Sequence, residues 1–452
     1  MENVTIDLND DFNLQALRMK CPYTNDEEAL IDLKRIFLVS DQSSEVYLFK
    51  DYDSIKKCGK VSYVSEAVAK QKLKKIIMKT IIVNYKPKKY SFWDLYLDNV
   101  EKFHVKGLTF YSENPDEFSY FRGYDYKQLD EVKTNIIQPF LDHIHDVIAN
   151  KNEEVYRYIL VWIASILQKP NFKTGTALVI LGNQGTGKNT FFTDVICKLM
   201  ARYANENVTS IESVVGKFNA VLENKKLLIL NELQSVDMNK YLNSDALKSV
   251  ITDKTININQ KNEPERLCEN VANFIMVSNN SFPIKIEGFD RRYVVTNTSD
   301  EHRGDWNYFG KLSDSFTPEF YENLFTFFMT LDISKTNLRM IPATDAKNDI
   351  IEASISSYEL FARENYDQIK DITGPDLFDM YCSFVKINHF KDCSSRTFIS
   401  NMKTFLGEAK SKRINGRVNR VYSLRDDYFQ KFKDYHEQLA KTIIDEPIDD
   451  AF

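Results

Sequence analysis

The chain has 452 residues, of which 43% are apolar and 27% are charged, with a formal net charge of −6. This length predicts roughly two to four domains, and the composition excludes a disordered, fibrous or small disulfide-stapled protein. The net acidity also excludes a globally basic nucleic-acid coat.

Six scattered cysteines, without a Cys-x-x-Cys pair, indicate reduced intracellular thiols. No secretory signal is recognisable, and no stretch of ~18 apolar residues is present. We therefore expect a cytoplasmic protein, in the host cytosol or nucleus if it is viral, that is not secreted and has no membrane partner.

Residues 1–90 contain a lysine-rich stretch. From Lys50 to Lys89 there are 12 lysines against three acids. Such a stretch is typical of a solvated helix face, and an accessory nucleic-acid contact is the alternative. The role of this region stays open.

Residues 91–170 are predicted to form a connector followed by a collar-like pair of helices. Aromatic residues punctuated by glycine and proline favour short strands and turns up to Tyr126. Between Leu129 and Leu167 apolar residues recur at three- and four-residue steps, which predicts two amphipathic helices.

Residues 171–330 have an α/β pattern. Three apolar runs have the length of buried strands and are separated by helical patterns: TALVILG, LLILNEL and FIMVSNN. A fourth short run starts at Tyr293. Such runs predict a parallel sheet that is covered on both faces.

A phosphate loop follows the first of these runs. Gly182 to Lys188 has the pattern G-x-x-x-x-G-K between a predicted strand and a predicted helix. Glycines let backbone N–H groups surround phosphate oxygens, the helix N-terminus adds positive potential, and Lys188 reaches the β- and γ-phosphates. The predicted nucleotide-binding residues are Gly182, Gln184, Gly185, Thr186, Gly187, Lys188, Asn189 and Thr190.

Polar residues end the second and third apolar runs. Glu232, which lies 44 residues after Lys188, is the candidate for polarising an attacking water. A polar amide at the tip of the third run senses the γ-phosphate, with Asn279 as the first choice and Asn280 as the reserve. Mg²⁺ is assigned to Asn189, Thr190, Asn231 and Glu232, although two positions carry Asn where Ser/Thr and Asp are usual.

Two further features accompany the predicted sheet. Arg291 and Arg292 are candidates for completing a neighbouring subunit's site, and structural salt bridges are the alternative. From Lys248 to Asn262 apolar and polar residues alternate up to a polar tip, which predicts a β-hairpin. Its candidate contacts to a phosphate backbone are Lys248, Lys254, Lys261 and Asn262.

After a helical linker at 331–373, residues 374–430 are predicted to form a small basic domain. From Lys386 to Arg425 there are ten basic residues against two acids. A helical pattern precedes two alternating runs joined at Asn415-Gly416, which predicts a winged-helix-like module. Lys412, Arg413 and Arg417 are its candidate contacts to duplex DNA, with a basic scaffold role as the alternative. Residues 431–452 are predicted to be a C-terminal helix and acidic tail.

With GNQGTGKNT, LLILNEL, KSVITDKTININ, FIMVSNN and FDRR in this order, the chain resembles the superfamily 3 helicases, which are ring-forming AAA+ ATPases. The resemblance is to the branch with the helicase halves of phage and plasmid primase-helicases and the poxvirus primase-helicase. It implies an AAA+ core that binds ATP and Mg²⁺ and assembles as a homo-hexamer. It also implies 3′ to 5′ translocation on single-stranded DNA in replicating a virus, phage, plasmid or other mobile element, with the hairpin at Lys254–Asn262 touching the strand.

Two alternatives remain open. An AAA+ switch or loader would act on protein or DNA without unwinding, and a small-molecule kinase would use the same loop as an active monomer. For a helicase, forked or duplex DNA is the substrate, and a separate primase or polymerase is the expected partner if the chain lacks its own.

Overall fold

The structure, a computed structural model, describes residues 6–41, 46–53, 58–231, 240–263, 265–279, 284, 286–287, 290–388, 390, 393–414 and 416–445. The chain divides into two compact units, Met1–Ile350 and Ile351–Phe452. Among the described residues, no helix combines the length and apolar character needed to cross a membrane.

The first unit begins with a mixed sheet in the order β3-β2-β1-β6. Its elements are α1 (Leu14–Met19), α2 (Asp26–Lys34), β1 (Phe37–Ser40), β2 (Val46–Asp53), β3 (Cys58–Val64), α3 (Glu66–Lys74), β4 (Ile77–Val83), β5 (Lys86–Ser91), α4 (Phe92–Leu97) and β6 (His104–Val105). Packed aromatic rings, including Phe37, Phe49 and Phe92, form the core beneath the sheet. The expectation of a helix face for Lys50–Lys89 is wrong over most of its length, because α3 is the only helix among the described residues there.

The connector and the helix pair follow as predicted. The elements are β7 (Gly107–Thr109), β8 (Glu117–Ser119), α5 (Thr134–His143) with a π-helical continuation at Ile144–Ile148, and α6 (Glu153–Gln168). Asn152 caps α6 by accepting hydrogen bonds from the N–H groups of Glu154 and Val155.

The centre of the first unit is a parallel sheet, which confirms the predicted α/β class. The elements are β9 (Ala177–Leu181), a π-helical segment (Thr190–Ile196), α7 (Cys197–Met200), β10 (Ala204–Val208), α8 (Glu212–Val215), β11 (Leu227–Asn231), α9 (Lys240–Thr252), β12 (Thr255–Ile258), β13 (Arg266–Glu269), β14 (Asn273–Ser278), β15 (Tyr293–Asn297), α10 (Trp306–Asp314) and α11 (Pro318–Thr330). The strand order is β10-β11-β14-β9-β15, and every neighbouring pair is parallel. All five residues of β9 are buried, as expected for an interior strand of a parallel sheet.

The predicted hairpin starts later than its sequence pattern indicates. Lys248 to Thr252 belong to α9, and the hairpin consists of β12 paired with β13 in antiparallel register. The prediction of a strand at Lys248–Thr252, which rests on their alternating pattern, is therefore wrong. Lys248 lies on the helix and bridges Asp245 at 3.0 Å and Glu287 at 3.1 Å.

The second unit has helices around a three-stranded antiparallel sheet in the order β16-β18-β17. Following α12 (Asp345–Ala353), which spans the division, the elements are α13 (Ser357–Glu364), β16 (Ile372–Thr373), α14 (Gly374–Ile387), α15 (Ser395–Met402), β17 (Lys410–Ile414), β18 (Arg417–Tyr422) and α16 (Asp426–Asp445). The pairing of Ile414 with Arg417 confirms the predicted hairpin at Gly416, while Asn415 lies outside the described residues.

Candidate functional site

The candidate site lies at the carboxyl edge of the central sheet. Leu181 at the end of β9 is in register with Ser278 of β14, and Val277 is in register with Asn231 of β11. The phosphate loop, Asn279 and Asn231 therefore begin at the ends of three adjacent strands, and neighbouring strands are about 5 Å apart. Ligands bind at this edge in open α/β sheets. Glu232 and Asn280 lie outside the described residues.

Three glycines allow the backbone conformation of the phosphate loop. Gly182, Gly185 and Gly187 have φ angles of 141°, 85° and 86°, which side chains disfavour. A Cβ on Gly182 would collide with the Thr298 hydroxyl, and one on Gly187 would lie 2.6 Å from Phe309. The loop thus needs glycine for both backbone conformation and close packing.

Lys188 is held by the loop itself. Its Nζ donates to the carbonyl oxygens of Gly182 at 2.6 Å and Asn183 at 2.7 Å. The side chain is buried, and burial lowers its pKa to about 8. The helix begins at Lys188 itself, so its first N–H groups are at the loop. This arrangement places an ammonium group and the first N–H groups of a helix at the same loop.

The segment after β15 forms a strap over the phosphate loop, and we use this name for Thr298–Phe309. Thr298 Oγ1 donates to Thr186 Oγ1 at 3.1 Å, and Asp300 accepts from the Asn183 amide at 2.8 Å. Arg303 Nε donates to the Gln184 carbonyl at 3.2 Å. Three positions of the loop, Asn183, Gln184 and Thr186, are thereby held by side chains of one segment.

His143 at the end of α5 supports the loop from behind. Its Nδ1 lies 3.0 Å from the Tyr308 hydroxyl, and its ring would contact a Cβ on Gly187. Burial lowers the pKa of His143 to about 4, so the imidazole is neutral at pH 7. Its position beside the Gly187 backbone indicates packing rather than proton transfer.

The residues assigned to Mg²⁺ are only partly brought together. Asn189 is exposed and Thr190 is half-buried at the start of the helix after the loop. Asn231 donates from its amide nitrogen to the Glu206 carbonyl at 3.0 Å. Within the described ranges, no three His, Cys, Asp or Glu side chains converge as a metal site.

Arg291 and Arg292 lie at the opposite edge of the sheet. The Arg292 carbonyl accepts from the Ala177 N–H at 2.7 Å, where β9 begins. With a rise of about 3.3 Å per residue, the arginines are about 20 Å from the phosphate loop of their own chain. Arg292 pairs with Asp290 at 3.1 Å, whereas Arg291 is exposed and has no hydrogen bond or ion pair with a described residue.

The β12–β13 hairpin is anchored on both strands. On one side, Asn219 accepts from the Asn259 N–H and donates to the Asn257 carbonyl, each at 2.9 Å. On the other side, Arg266 forms a bidentate pair with Glu223 and lies 3.7 Å from the centre of the Tyr63 ring. Lys254, Lys261 and Asn262 stay exposed, and Lys261 and Asn262 are in the turn.

In the second unit, the predicted basic contacts lie on the β17–β18 hairpin. Lys412, Arg413 and Arg417 are exposed. Lys412 pairs with Asp371 at 3.0 Å, which leaves the two arginines as the freer cations of the three.

The strap and His143 are absent from the sequence-derived site. The fourth apolar run, at Tyr293, could have indicated the strap. A parallel strand there ends at the carboxyl edge of the sheet, so the residues that follow it lie near the phosphate loop. The sequence offers no comparable signal for His143, since its place depends on how α5 packs.

These observations define a mixed α/β protein with a glycine-rich loop of the pattern G-x-x-x-x-G-K at the carboxyl edge of a parallel sheet. A family described as a family of unknown function (DUF5906) matches residues 180–292. The chain is also similar to the DNA primase-polymerase of Nitratiruptor phage NrS-1, with 25% identity over 330 residues. That match covers 70% of this chain and 42% of the phage protein.

Solved structures of the C-terminal region of NrS-1 share the fold. One apo structure has a TM-score of 0.58 at 19% identity and covers 90% of this chain and 100% of that chain. An A form apo structure has a TM-score of 0.55 at 18% identity, covering 88% and 98%. The chain is thus related to a phage replication protein, of which it spans less than half.

Proposed function

We propose that this chain is an ATP-hydrolysing DNA helicase of a replication machine, which works as a homo-hexamer and moves 3′ to 5′ on single-stranded DNA. The observation that carries the proposal is the phosphate loop, with Lys188 at the start of the helix that follows β9, an interior strand of the sheet. Glycine backbone, helix N-terminus and ammonium group together suit a nucleoside triphosphate.

The strand order supports an AAA+ type of core. Taken along the chain, the five strands lie in the order 2-3-4-1-5, so that β14 separates β9 from β11. Asn279 therefore borders the phosphate loop directly, where its amide suits hydrogen bonding to a γ-phosphate. Asn231 is one strand further away and directly precedes in sequence Glu232, the proposed water-polarising carboxylate.

Mg²⁺ fits this site as an ion held chiefly by the nucleotide. Mg²⁺ keeps several waters and takes few protein ligands when phosphates are present. Thr190 and Asn189 at the helix start, and Asn231, are the oxygen donors that would hold it, and it would neutralise charge on the phosphates. The chain's own part is to bind and orient the triphosphate.

The position of Arg291 supports assembly. It is about 20 Å from its own loop and has no partner in the described part of the chain, so it suits the phosphates of a neighbouring subunit. Arg292, tied to Asp290, suits a structural role.

Three features support DNA as the substrate. Lys261 is exposed in the turn of an anchored hairpin, Arg413 and Arg417 are exposed on a second hairpin, and the related phage protein is a DNA primase-polymerase. Lysine and arginine side chains at such turns contact phosphate backbones. The match covers 42% of that relative, and a separate primase or polymerase is the proposed partner.

The test is steady-state ATP hydrolysis with and without single-stranded DNA, at protein concentrations that span ring assembly. We expect stimulation by DNA that rises steeply with protein concentration. We also expect Lys261→Ala to abolish unwinding of a forked duplex while basal hydrolysis stays. A hydrolysis rate that depends on neither DNA nor protein concentration would favour a kinase. Hydrolysis that DNA still stimulates in Lys261→Ala, without any unwinding by the wild type, would favour a switch or loader.

A further inference from the structure

A further hairpin, formed by β4, β5 and their turn, has its outer half in solvent on both faces. We call it the N-terminal hairpin (Ile77–Ser91). From Thr80 to Lys89 every residue is exposed except Ile81, which is half-buried. Ile82 is 70% exposed and Val83 41% exposed, although such residues in a strand normally cover a core. Packing within the described part of the chain does not account for this ribbon.

The turn of this hairpin carries a tyrosine at an unfavourable position. Asn84 and Tyr85 have φ angles of 50° and 62°, which is the two-residue turn that favours glycine at its second position. A bulky residue with positive φ is uncommon. The Tyr85 side chain is 100% exposed, so no packing compensates for the strain. Strained residues of this kind concentrate at functional sites.

The chain segment around Tyr85 is basic in sequence. From Ala67 to Trp93 there are eight lysines and no Asp or Glu. Of those on the hairpin, Lys79 pairs with Asp26, while Lys86, Lys88 and Lys89 are exposed. The register places Lys86 opposite Val83 and Lys88 opposite Ile81, so both lysines share one face of the ribbon.

Lys74 at the end of α3 lies near the same carboxylate as Lys88 of the hairpin. Burial raises the pKa of Asp94, whereas hydrogen bonds from Ser91 and the charges on Lys88 and Lys74 lower it, and the net shift is downward. Lys74 and Lys88 therefore both lie close to one carboxylate. Asp94 also caps α4, where its carboxylate accepts from the Ser91 N–H and the Ser91 hydroxyl.

We propose that the N-terminal hairpin binds single-stranded nucleic acid, with Tyr85 stacking on a base and the hairpin lysines contacting phosphates. Sites for single strands combine an aromatic platform with a basic track along the backbone. A duplex hides its base faces within the stack, so a fully exposed ring at the tip favours a single strand. This contact does not depend on the phosphate loop or on ATP.

The test uses the full chain without nucleotide and a fluorescein-labelled oligothymidine of roughly 30 nucleotides, followed by anisotropy. Tyr85→Asn removes the ring, and Asn tolerates positive φ, so the turn is kept. We expect Tyr85→Asn to weaken binding about 5- to 100-fold. Tyr85→Trp, which keeps an aromatic ring, should bind within about twofold of the wild type. Unchanged circular-dichroism melting shows that the variants fold.

A charge variant tests the lysines separately. Lys86→Gln combined with Lys88→Gln should lower the magnitude of the slope of log affinity against log salt by about 0.7 for each lost phosphate contact. The matched control, Lys127→Gln with Lys335→Gln, removes two exposed lysines elsewhere and should leave the slope unchanged.

Three results would overturn the proposal. One is that Tyr85→Asn binds the oligothymidine with wild-type affinity. Another is that Tyr85→Asn loses as much affinity for a blunt duplex of the same length as for the single strand. The third is an altered oligomeric state with unchanged affinity, which would assign the hairpin to a second copy of the chain. Failure of ATP hydrolysis in the wild type would contradict the proposed function but would leave this binding measurement interpretable.

Discussion

The two edges of the central parallel sheet both hold buried lysines, but in different surroundings. At the amino edge, Lys226 Nζ donates to the carbonyl oxygens of Lys169 at 2.7 Å and Pro170 at 2.5 Å. Burial lowers its pKa to about 7. At the carboxyl edge, Lys188 also donates to two carbonyl oxygens, and burial lowers its pKa to about 8.

The difference lies in what holds each ammonium group. The acceptors of Lys226 belong to the segment between α6 and β9, which is fixed by the packing of those elements. The acceptors of Lys188 belong to a glycine loop at a helix N-terminus, where phosphate oxygens can replace them. A lowered lysine pKa therefore does not identify the site, whereas the exchangeable acceptors do.

The largest expected effect comes from Arg291, which lies at the amino edge of the sheet and is proposed to act on the carboxyl-edge site of a neighbouring subunit. Arg291→Ala should lower kcat for ATP hydrolysis by about 10³–10⁵-fold, because a trans arginine stabilises transition-state charge. The control is Arg292→Ala, which loses the ion pair with Asp290 and should keep most of kcat. Equal losses in the two variants would contradict a trans role for Arg291.

A mixing experiment sharpens this prediction. Subunits with Lys188→Met keep Arg291, and subunits with Arg291→Ala keep Lys188. Mixed rings should therefore recover activity that neither variant has alone. No recovery at any ratio would place both residues in the same site.

The same substitution at the two edges should separate catalysis from stability. Lys188→Met should lower kcat/KM for ATP by about 10²–10³-fold, because a preorganised charge at the phosphates is lost. Lys226→Met should leave kcat/KM per folded molecule unchanged. In the wild type, KM for ATP should rise above pH 8, since Lys188 then loses its proton.

Lys226→Met should act on folding instead. Two carbonyl groups lose their donor, so the free energy of unfolding should fall by about 1–3 kcal/mol in urea titrations. The pKa of Lys226 is about 7 in the folded chain and ordinarily 10.5, so between these values the unfolded chain binds more protons. Wild-type stability from this group therefore rises with pH, and the deficit of the variant should be larger at pH 9.5 than at pH 7. A deficit independent of pH would contradict this account.

The sequence predicts what depends on local pattern. The apolar runs of β9, β11, β14 and β15 are read correctly because buried parallel strands are continuously apolar. β10 is missed because ANENV is a polar edge strand whose pairing with β11 depends on tertiary structure. α9 is misread at Lys248–Thr252 because five residues of alternation are too few to separate the two periodicities.

Within the candidate site the same division holds. The glycine loop has a local pattern and is found, while the strap lies more than 100 residues away and reaches the loop only through the pairing of β15 with β9. The roles of Asn279, Arg291 and Lys261 stay predictions, since position alone does not establish them.

The smallest expected effect is that of a substitution in the strap, which is compared with a substitution in β15, the strand that precedes it. Thr298→Val removes the hydroxyl that donates to Thr186 at 3.1 Å, and Thr186 in turn donates to the Asn183 carbonyl. A lost hydrogen bond of about 1 kcal/mol should raise KM for ATP about fivefold and leave kcat unchanged.

The control for this variant is Thr296→Val, because Thr296 donates to the Ile148 carbonyl at 3.2 Å, away from the loop. It should cost a similar amount of stability without raising KM. If both variants raised KM equally, the strap would only stabilise the fold. A rise confined to Thr298→Val, reversed in Thr298→Ser, would show that the carboxyl edge is organised by a segment that takes its position from β15.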